Sequence, residues 1–528
     1  MFQSLPRWPL ALRFLVLGSL PLLCGSLAAQ PATLIAHPAP LVATPSIPRS
    51  VAFRSGYTRT ATEAEIAEIL GAIAAASPHW VCSSIGQSHE GRPIQVLESG
   101  GRPSTTAAVK PLTIVILGGI HAGECDGKEA LLDLVGEIAM GKHPQWIDGM
   151  RLVCIPSLNP DGNSRRAIDH RPGQLGPAEG MGTRANSRGL DLNRDFIKLE
   201  TAEIRALVQT LHQIDADLLI DLHTTNGSQH RYELTYDPPH HPATPLGIRS
   251  FLRDALLPEV TQRVGQQHGL SLFYYGNFDR GLTRWSTYGY EARYGINYMG
   301  LRGRMGILSE SYSYAPYETR VVASHAFLTA ILDYLAPRAA EVKELLAAGF
   351  AAAAERDEST AVPLTARLEP FPERVPVKGY AADGQPQDHL VQFYGDFQGA
   401  LSVAPPEGYF IDAADKNILQ LLAAHGIASE PIVASGRWSS EGYEVTRCEI
   451  ADQSFQGHHM VRLEGNWRAI ELEEGRSGHW VATGGALTPL IATILEPESP
   501  DSVATWNVVP ADRLRAGTIY PIVRVRSR

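Results

Sequence analysis

The sequence predicts an α/β fold with a largely parallel sheet, and two observations support this prediction. Apolar runs typical of buried strands alternate along the chain with segments that repeat apolar residues at helical spacing. Each apolar run also ends in polar residues, and strands followed by helices in this way are typical of parallel sheets. Functional side chains of such sheets collect at the carboxyl ends of the strands.

The individual elements follow in chain order. "TRTATEAEIAEILGAIAAASP" predicts a helix with Thr62 as its N-cap, and Glu65 completes a capping box. "LTIVILGG" (112–119), "MRLVCIPSLN" (150–159), "ADLLIDLH" and "GRMGILSES" predict strands, and "KEALLDLVGEIAM" and "TAEIRALVQTLHQI" predict the helices between them. Beyond about residue 360, short alternating segments such as "VTRCEIA" and "HMVRLE" predict a smaller, mostly β second domain.

Composition excludes some classes of partner. A chain of 528 residues is long enough for two domains, and its net charge of −10 argues against nucleic acid or an anionic membrane surface. The N-terminal "MFQSLPRWPLALRFLVLGSLPLLCGSLAAQ" has the pattern of a secretory signal peptide. We therefore expect a signal at 1–29, a linker or arm at 30–54, and an exported protein, periplasmic or secreted, with no membrane segment after cleavage.

Signal removal leaves four of the five cysteines. They form either buried thiols or up to two disulfides, and the spacing leaves the pairing open. The four are Cys82, Cys125, Cys154 and Cys448. Because they contain no CxxC pair, a cysteine-based zinc site is not expected.

Three residues at strand ends have the chemistry of a metal site. "HAGE" places His121 and Glu124 one turn apart after the first strand, and "DLH" ends another strand with His223. Catalytic zinc takes three protein ligands and keeps a fourth position open. Between these segments, "NPDGNSRR" and "TRANSRGLDLNRDF" are rich in Asn and Arg, which suit a carboxylate. Glu310 adds an acid to an otherwise apolar strand, a position typical of a general base facing a cleft.

In this order the motifs "HAGE", "NPDG", "RGLDLNRDF", "DLH" and the late strand glutamate resemble the zinc carboxypeptidases of the carboxypeptidase A type. The resemblance covers roughly residues 55–340. It implies an α/β/α sandwich around a mixed sheet of about eight strands in a catalytic domain at 55–345. The late segment "GGALTPLIATILEPESPDSVATWN" is similar to the tail of some exported bacterial carboxypeptidase-like proteins, which supports a separate β-rich domain at 360–528.

The resemblance also implies roles for individual residues. His121, Glu124 and His223 match the ligands of one Zn²⁺ ion, and Glu310 matches the base that activates water. Asn193 and Arg194 match the pair that holds the terminal carboxylate of the substrate.

Two further roles are aligned less firmly. Arg184 matches the arginine that polarises the scissile carbonyl, although Arg171 and Arg188 are close in sequence. Tyr288 fits best as the mobile substrate-binding tyrosine, with Tyr290 and Tyr298 as the alternatives.

The function expected from these matches is that of a zinc metallocarboxypeptidase acting on a peptide or small amide with a free carboxylate. "DLHTTNG" also resembles the aspartoacylase branch, so a deacylase of N-acyl amino acids is an alternative. A non-catalytic binding protein on the same fold is another. The sequence leaves the oligomeric state open.

Three other polar residues are assigned without the resemblance. His240 and His241, in "DPPHHP", are expected in a solvated loop rather than at a metal. Asp221 points to the same side of its strand as His223, so it is either a partner that orients this histidine or a strand-end acid.

Overall fold

The computed structural model describes residues 47–100, 110–354, 360–435 and 438–528. The expected signal peptide at 1–29 and most of the expected linker at 30–54 lie outside the described residues. The described residues form one compact unit. The boundary between a catalytic domain and a C-terminal domain therefore stays a prediction.

The helices lie mainly in the first two thirds of the described chain. They are α1 (Val51–Arg54), α2 (Glu63–Ala76), α3 (Asp126–Ala139), α4 (Pro144–Gly149), α5 (Pro160–Ser164), α6 (Ala202–Gln213), α7 (Leu246–Ser250), α8 (Leu257–His268), α9 (Gly295–Leu301), α10 (Tyr317–Leu335), α11 (Ala339–Ala354), α12 (Lys416–Ala424) and α13 (Thr488–Leu495). A π-helical segment, Phe251–Leu256, joins α7 to α8. The capping box expected at α2 is confirmed, since Glu65 N–H donates to Thr62 Oγ1 at 3.2 Å and Thr62 N–H donates to Glu65 Oε2 at 2.9 Å.

The strands run through the whole described chain. They are β1 (Trp80–Gln87), β2 (Pro93–Ser99), β3 (Leu112–Gly118), β4 (Met150–Ile155), β5 (Leu218–Thr225), β6 (Leu234–Asp237), β7 (Leu272–Tyr274), β8 (Asn277–Phe278), β9 (Arg284–Ser286), β10 (Met305–Tyr312), β11 (Val362–Tyr380), β12 (Pro386–Val403), β13 (Gly408–Asp412), β14 (Glu430–Val433), β15 (Ser439–Ile450), β16 (Val461–Ile470), β17 (Ser477–Ala482) and β18 (Ile522–Ser527).

The central element is an eight-stranded mixed sheet in the order β1-β2-β4-β3-β5-β10-β6-β7. Its middle strands β4, β3, β5 and β10 are parallel neighbours, while β1 and β2 are antiparallel on one side and β6 is antiparallel to β10 on the other. The sheet therefore has the mixed, largely parallel character that the sequence predicts.

Alternate residues of the buried strands face opposite sides of this sheet, as the twofold period of a strand requires. In β3, Ile114 and Ile116 join a core cluster with α2, α3, α8 and α10. Val115 and Leu117 join a second cluster with α6 and α9 on the other face. The result is a sheet covered by helices on both faces, and this explains why its strands are almost continuously apolar.

The C-terminal part of the chain is rich in strands. One further sheet, in the order β11-β12-β9-β8, joins two of these strands to β8 and β9 from earlier in the chain, and another has the order β14-β17-β13-β18-β15-β16. Tyr409, Ile411 and Tyr443 from this part belong to the same buried cluster as Val115 and Leu117. The C-terminal β-rich part and one face of the central sheet thus share a core.

Two general expectations can be compared with the structure directly. Cys82, Cys125, Cys154 and Cys448, all within the described residues, are free thiols, so the disulfide alternative is not realised. Across the described segments, no helix has both the length and the apolar character needed to cross a membrane.

Candidate active site

The site lies at the carboxyl ends of the parallel strands. β3 ends at Gly118, and the loop before α3 carries His121 and Glu124. His223 lies near the end of β5, and its partner in the parallel pairing with β10 is Glu310. Because neighbouring parallel strands end at one edge, residues far apart in sequence meet there.

His121, Glu124 and His223 converge on one point. His223 Nδ1 lies 3.1 Å from His121 Nδ1 and 3.0 Å from Glu124 Oε2, and His121 Nδ1 lies 3.2 Å from Glu124 Oε1. One ligand atom from each residue falls within 4.8 Å of the others, and all three residues are buried. Two imidazole nitrogens and a carboxylate are a donor set that suits zinc, so the residues fit the ion that the sequence predicts.

The outer nitrogens of both histidines face carboxylates. His121 Nε2 lies 2.8 Å from Asp191 Oδ1, and His223 Nε2 lies 2.8 Å from Asp221 Oδ2. Such contacts fix the ring orientation and leave Nδ1 available as a ligand. The structure thus favours the orienting role for Asp221. Sequence reasoning missed Asp191, although it stands two residues before Asn193 in the quoted "DLNRDF" motif.

Asp191 contacts Arg184 and Asn193 as well as His121. Its Oδ2 accepts from Arg184 Nη2 at 2.8 Å and from Nε at 3.1 Å, and its Oδ1 accepts from Asn193 N–H at 2.9 Å. Burial by itself would raise the pKa of Asp191, but His121 and Arg184 hold that pKa well below its usual range. Asp191 is therefore a carboxylate that stays ionised and connects the candidate metal ligand His121 to Arg184 and Asn193.

We expect Asp191→Asn to weaken zinc binding by about 10- to 100-fold, the range found when the partner of a ligating histidine is removed. The reason is that a neutral amide oxygen holds the His121 ring and Arg184 more weakly than a charged carboxylate does. Competition with a chromophoric zinc chelator measures the affinity. Asp169→Asn, at an exposed position, is the matched control. Equal zinc affinity in the two variants would contradict the orienting role.

Two arginines contact Glu124. Arg171 Nη1 lies 2.7 Å from Glu124 Oε1, and Arg184 Nη1 lies 3.3 Å from the same oxygen. The side chain of Arg171 is only 8% exposed and also donates to Thr224 O, whereas that of Arg184 is 46% exposed. Burial opposes ionisation of Glu124, but Arg171 and His121 keep its pKa well below the usual range. Both arginines therefore contact the candidate ligand Glu124, and Arg184 is the more exposed of the two.

Glu310 is poised beside the three candidate ligands. Its Oε2 is buried and has no hydrogen-bond partner among the described residues. Burial raises the pKa of Glu310 to about 8, and the charge of Glu124 adds to this against the opposing charges of His223 and Arg184. A divalent cation held by the neighbouring ligands would favour the ionised form, which is the form that takes up a proton.

A cavity of about 370 Å³ brings the predicted residues together. Its lining includes all eight of them: His121, Glu124, Arg184, Asn193, Arg194, His223, Tyr288 and Glu310. The other lining residues are Arg171, Thr224, Thr225, Asn226, Tyr275, Tyr294, Ile296 and Leu308. Of the three tyrosine alternatives, only Tyr288 lines this cavity. Tyr298 is buried in the core instead, where its hydroxyl lies 3.0 Å from His425 Nδ1.

The carboxylate-binding candidates are held by their surroundings. Asn193 Oδ1 accepts from Gly295 N–H at 2.9 Å, and the Arg194 guanidinium lies 4.5 Å from the centre of the Tyr294 ring. Arg194 Nη1 also donates to Asn193 O at 2.8 Å. These contacts tie the loop 191–195 to the segment 294–296 and fix one wall of the cavity.

The expectation for His240 and His241 was wrong. They are 6% and 1% exposed instead of solvated. His240 Nε2 lies 3.1 Å from Asp237 Oδ2 and 3.0 Å from Thr287 Oγ1, and its ring lies 4.6 Å from that of Tyr288. The proline-rich "DPPHHP" suggests a loop, but that loop is covered by β12, whose Phe397 ring lies 5.4 Å from that of His240. Neither histidine joins the metal-binding group.

One segment of this chain is similar to a known protein family. Residues 66–268 match the family model described as zinc carboxypeptidase. The match includes the segments bearing His121, Glu124, Arg184, Asn193, Arg194 and His223, whereas Tyr288 and Glu310 lie beyond it.

Individual relatives match over different lengths. Carboxypeptidase D of Rattus norvegicus is 35% identical over 193 residues, which cover 30% of this chain and 14% of the relative. Carboxypeptidase 2 of Trichophyton tonsurans is 22% identical over 474 residues, 83% of this chain and 81% of the relative. The chain therefore spans only about a seventh of the carboxypeptidase D relative but most of carboxypeptidase 2.

A metallo-carboxypeptidase structure from Burkholderia cenocepacia aligns with a TM-score of 0.40 at 18% identity, over 52% of this chain and 69% of that one. Over residues 66–268 this chain is therefore similar to the zinc carboxypeptidase family, and the motif residues of that segment line one cavity.

Proposed function

We propose that this chain is an exported zinc metallocarboxypeptidase that hydrolyses the C-terminal amide bond of a peptide, with Glu310 as the general base. The observation that supports this most is the convergence of the His121, Glu124 and His223 group with Glu310, Arg184, Asn193 and Arg194 on one cavity. Each of these side chains has a separate task in such a reaction.

The three converging residues would hold a single zinc ion. Zinc supplies Lewis-acid chemistry, which polarises a carbonyl group and makes water a better nucleophile at neutral pH. The chain contributes the orientation of the ligands. Asp191 and Asp221 face the outer nitrogens of the two histidines, and Arg171 faces the carboxylate of Glu124.

Glu310 is the proposed proton carrier. Its Oε2 has no hydrogen-bond partner among the described residues, so it is available to a water molecule in the cavity. The carboxylate takes a proton from water as the water attacks the carbonyl carbon, and it then delivers this proton to the leaving amine. Burial strengthens this role, because it makes the carboxylate a stronger base than an exposed one.

Arg184 is the proposed oxyanion donor. Its side chain is braced by Asp191 and is 46% exposed, so N–H groups remain for the substrate. A preorganised donor of this kind stabilises the charge that develops on the carbonyl oxygen.

Asn193 and Arg194 are the proposed site for the terminal carboxylate. A guanidinium with an adjacent amide matches the two oxygens of a carboxylate better than a lone ammonium would. Tyr288 adds a buried hydroxyl with no hydrogen-bond partner in the described chain, and we assign it to the substrate as well. Recognition of the free carboxylate would restrict cleavage to the C-terminal residue.

The test is zinc content and product identity of the purified full-length protein. We expect one zinc ion per chain, hydrolysis of a blocked dipeptide with a free carboxylate, and no hydrolysis of the same dipeptide with a C-terminal amide. N-acyl amino acids are assayed in parallel. Cleavage of these compounds without cleavage of peptides would indicate the deacylase alternative, and binding without turnover would indicate a non-catalytic protein.

Metal removal is a separate prediction. Dialysis against dipicolinate is expected to abolish hydrolysis, and one equivalent of zinc is expected to restore it. The reason is that side-chain atoms of His121, Glu124 and His223 lie 3.0–3.2 Å from one another, and two imidazoles with a carboxylate are ligands that suit catalytic zinc. Dialysis without chelator is the control. Full activity in protein shown to be free of metal would contradict the assignment.

Export is the part of the proposal that depends on the sequence alone. Residues 1–29 carry the signal pattern, and N-terminal sequencing of the protein from a secreting host should begin near Ala28–Gln30. An N-terminus at Met1 would contradict it.

A further inference from the structure

A tight turn in the C-terminal part of the chain has an unusual residue at its tip. Phe455 and His458 exchange backbone hydrogen bonds of 2.8 and 3.0 Å around Gln456 and Gly457. Both central residues have positive φ, +53° at Gln456 and +82° at Gly457. Such turns favour Asn, Asp or Gly, and a longer side chain is strained in this conformation. A glutamine at this position is therefore expected to make a contact that offsets the backbone strain.

That contact reaches the candidate active site. Gln456 Oε1 accepts a 2.8 Å hydrogen bond from Asp191 N–H, although the two residues are 265 positions apart. The carboxylate of Asp191 in turn contacts His121 Nε2 at 2.8 Å and Arg184 Nη2 at 2.8 Å. One backbone amide, held by Gln456, thus sets the position of a carboxylate that orients a metal ligand and a substrate-facing arginine.

The turn is itself fixed on both sides. His458 Nε2 lies 2.9 Å from Glu200 Oε2, and the His458 ring packs edge-on against Trp506 with centroids 5.5 Å apart. The Phe455 ring stacks on the same Trp506 at 6.2 Å. Gln456 is therefore presented to Asp191 from a supported position.

A second set of contacts from the same part of the chain acts on the other segment of this wall. Asp501 is fully buried; its Oδ1 lies 2.9 Å from Arg293 Nε and its Oδ2 accepts from Arg293 N–H at 3.0 Å. Arg293 precedes Tyr294, whose ring lies against Arg194, and Gly295 N–H donates to Asn193 Oδ1. The C-terminal part thus contacts both segments that form the carboxylate-binding wall, at Asp191 through Gln456 and at Arg293 through Asp501.

We propose that the C-terminal part of the chain positions the substrate-binding wall, and that Gln456 is a positioning residue that acts through Asp191 on His121 and Arg184. This inference rests on the proposed function and assigns a role to the C-terminal part. Its physical basis is that sites of this kind work only when supporting contacts hold their side chains within a few tenths of an ångström.

The turn conformation provides a test that separates positioning from stability. Gln456→Asn and Gln456→Gly suit the positive φ better than glutamine does, so neither should lower the melting temperature. Asn is one methylene too short for the contact with Asp191, and Gly has no acceptor at all. We expect both variants to bind zinc about three- to tenfold more weakly, less than for direct loss of a histidine partner, and to lose a similar factor in kcat/KM. Gln453→Asn, exposed in the same loop, is the matched control.

The outcomes distinguish the possibilities. Zinc affinity and kcat/KM equal to the parent in both variants would overturn the inference, and so would losses that only parallel a fall in melting temperature. A parent that binds zinc but cleaves no peptide contradicts the proposed function alone, because the zinc measurement still decides the role of Gln456. A parent that binds no zinc overturns both.

Discussion

Glu310→Gln is expected to bind zinc as the parent does and to lose peptide hydrolysis by a factor of about 10² to 10⁴, the usual contribution of a general base. The amide has nearly the shape of the carboxylate but cannot take up a proton. Because Glu310 is not one of the three converging ligands, the metal should stay. The measurements are kcat on a blocked dipeptide and the zinc content of the same preparation.

Glu318→Gln, at an exposed position at the start of α10, is the matched control and should keep full activity. Parent-like turnover in Glu310→Gln would remove the base from the mechanism. Loss of zinc from this variant would instead make Glu310 a ligand, and the three-ligand description would then be wrong.

Arg184→Ala is expected to lower kcat by about 10² to 10³, the range for loss of one oxyanion donor. Zinc affinity should change much less, because Arg184 contacts Glu124 at 3.3 Å while Arg171 keeps its contact at 2.7 Å. Arg184→Lys keeps the charge but not the planar fork, so only part of the activity should return. Steady-state kinetics on the blocked dipeptide separate kcat from KM.

The same kinetics test Arg188, one of the two alternatives to Arg184. Arg188 is exposed and does not line the cavity, so Arg188→Ala should behave as the parent. A large loss in Arg188→Ala with little change in Arg184→Ala would show that the motif has been aligned to the wrong residue.

Local patterns predicted much of the fold. The apolar run 112–119 and the segment "ADLLIDLH" became β3 and β5, and Thr62 with Glu65 forms the expected capping box. These features depend on side-chain period and on contacts within one turn, both of which can be read from neighbouring residues. The burial of His240 and His241 could not be read in this way, because the covering strand β12 is more than 140 positions away.

The candidate site, like the fold, was predicted only in part from local patterns. The chemistry of its ligands is visible in short motifs, since "HAGE" and "DLH" place their donors at strand ends. Their partners are not visible, because Asp191 and Arg171 meet His121 and Glu124 only after folding, at sequence separations of 70 and 47. A charged residue in a polar loop has no local pattern that distinguishes a buried partner from a solvated one.

The sequence by itself predicted the α/β class, and it supplied the candidate residues for a metal site, a general base and a carboxylate site. Only the tertiary structure decided which carboxylates face the histidines, that the side chain of Arg171 is 8% exposed while that of Arg184 is 46% exposed, and that a turn near the C-terminus reaches Asp191. The reason is physical: helical and strand periods are set by neighbours along the chain, whereas these contacts arise from packing between segments as much as 265 residues apart.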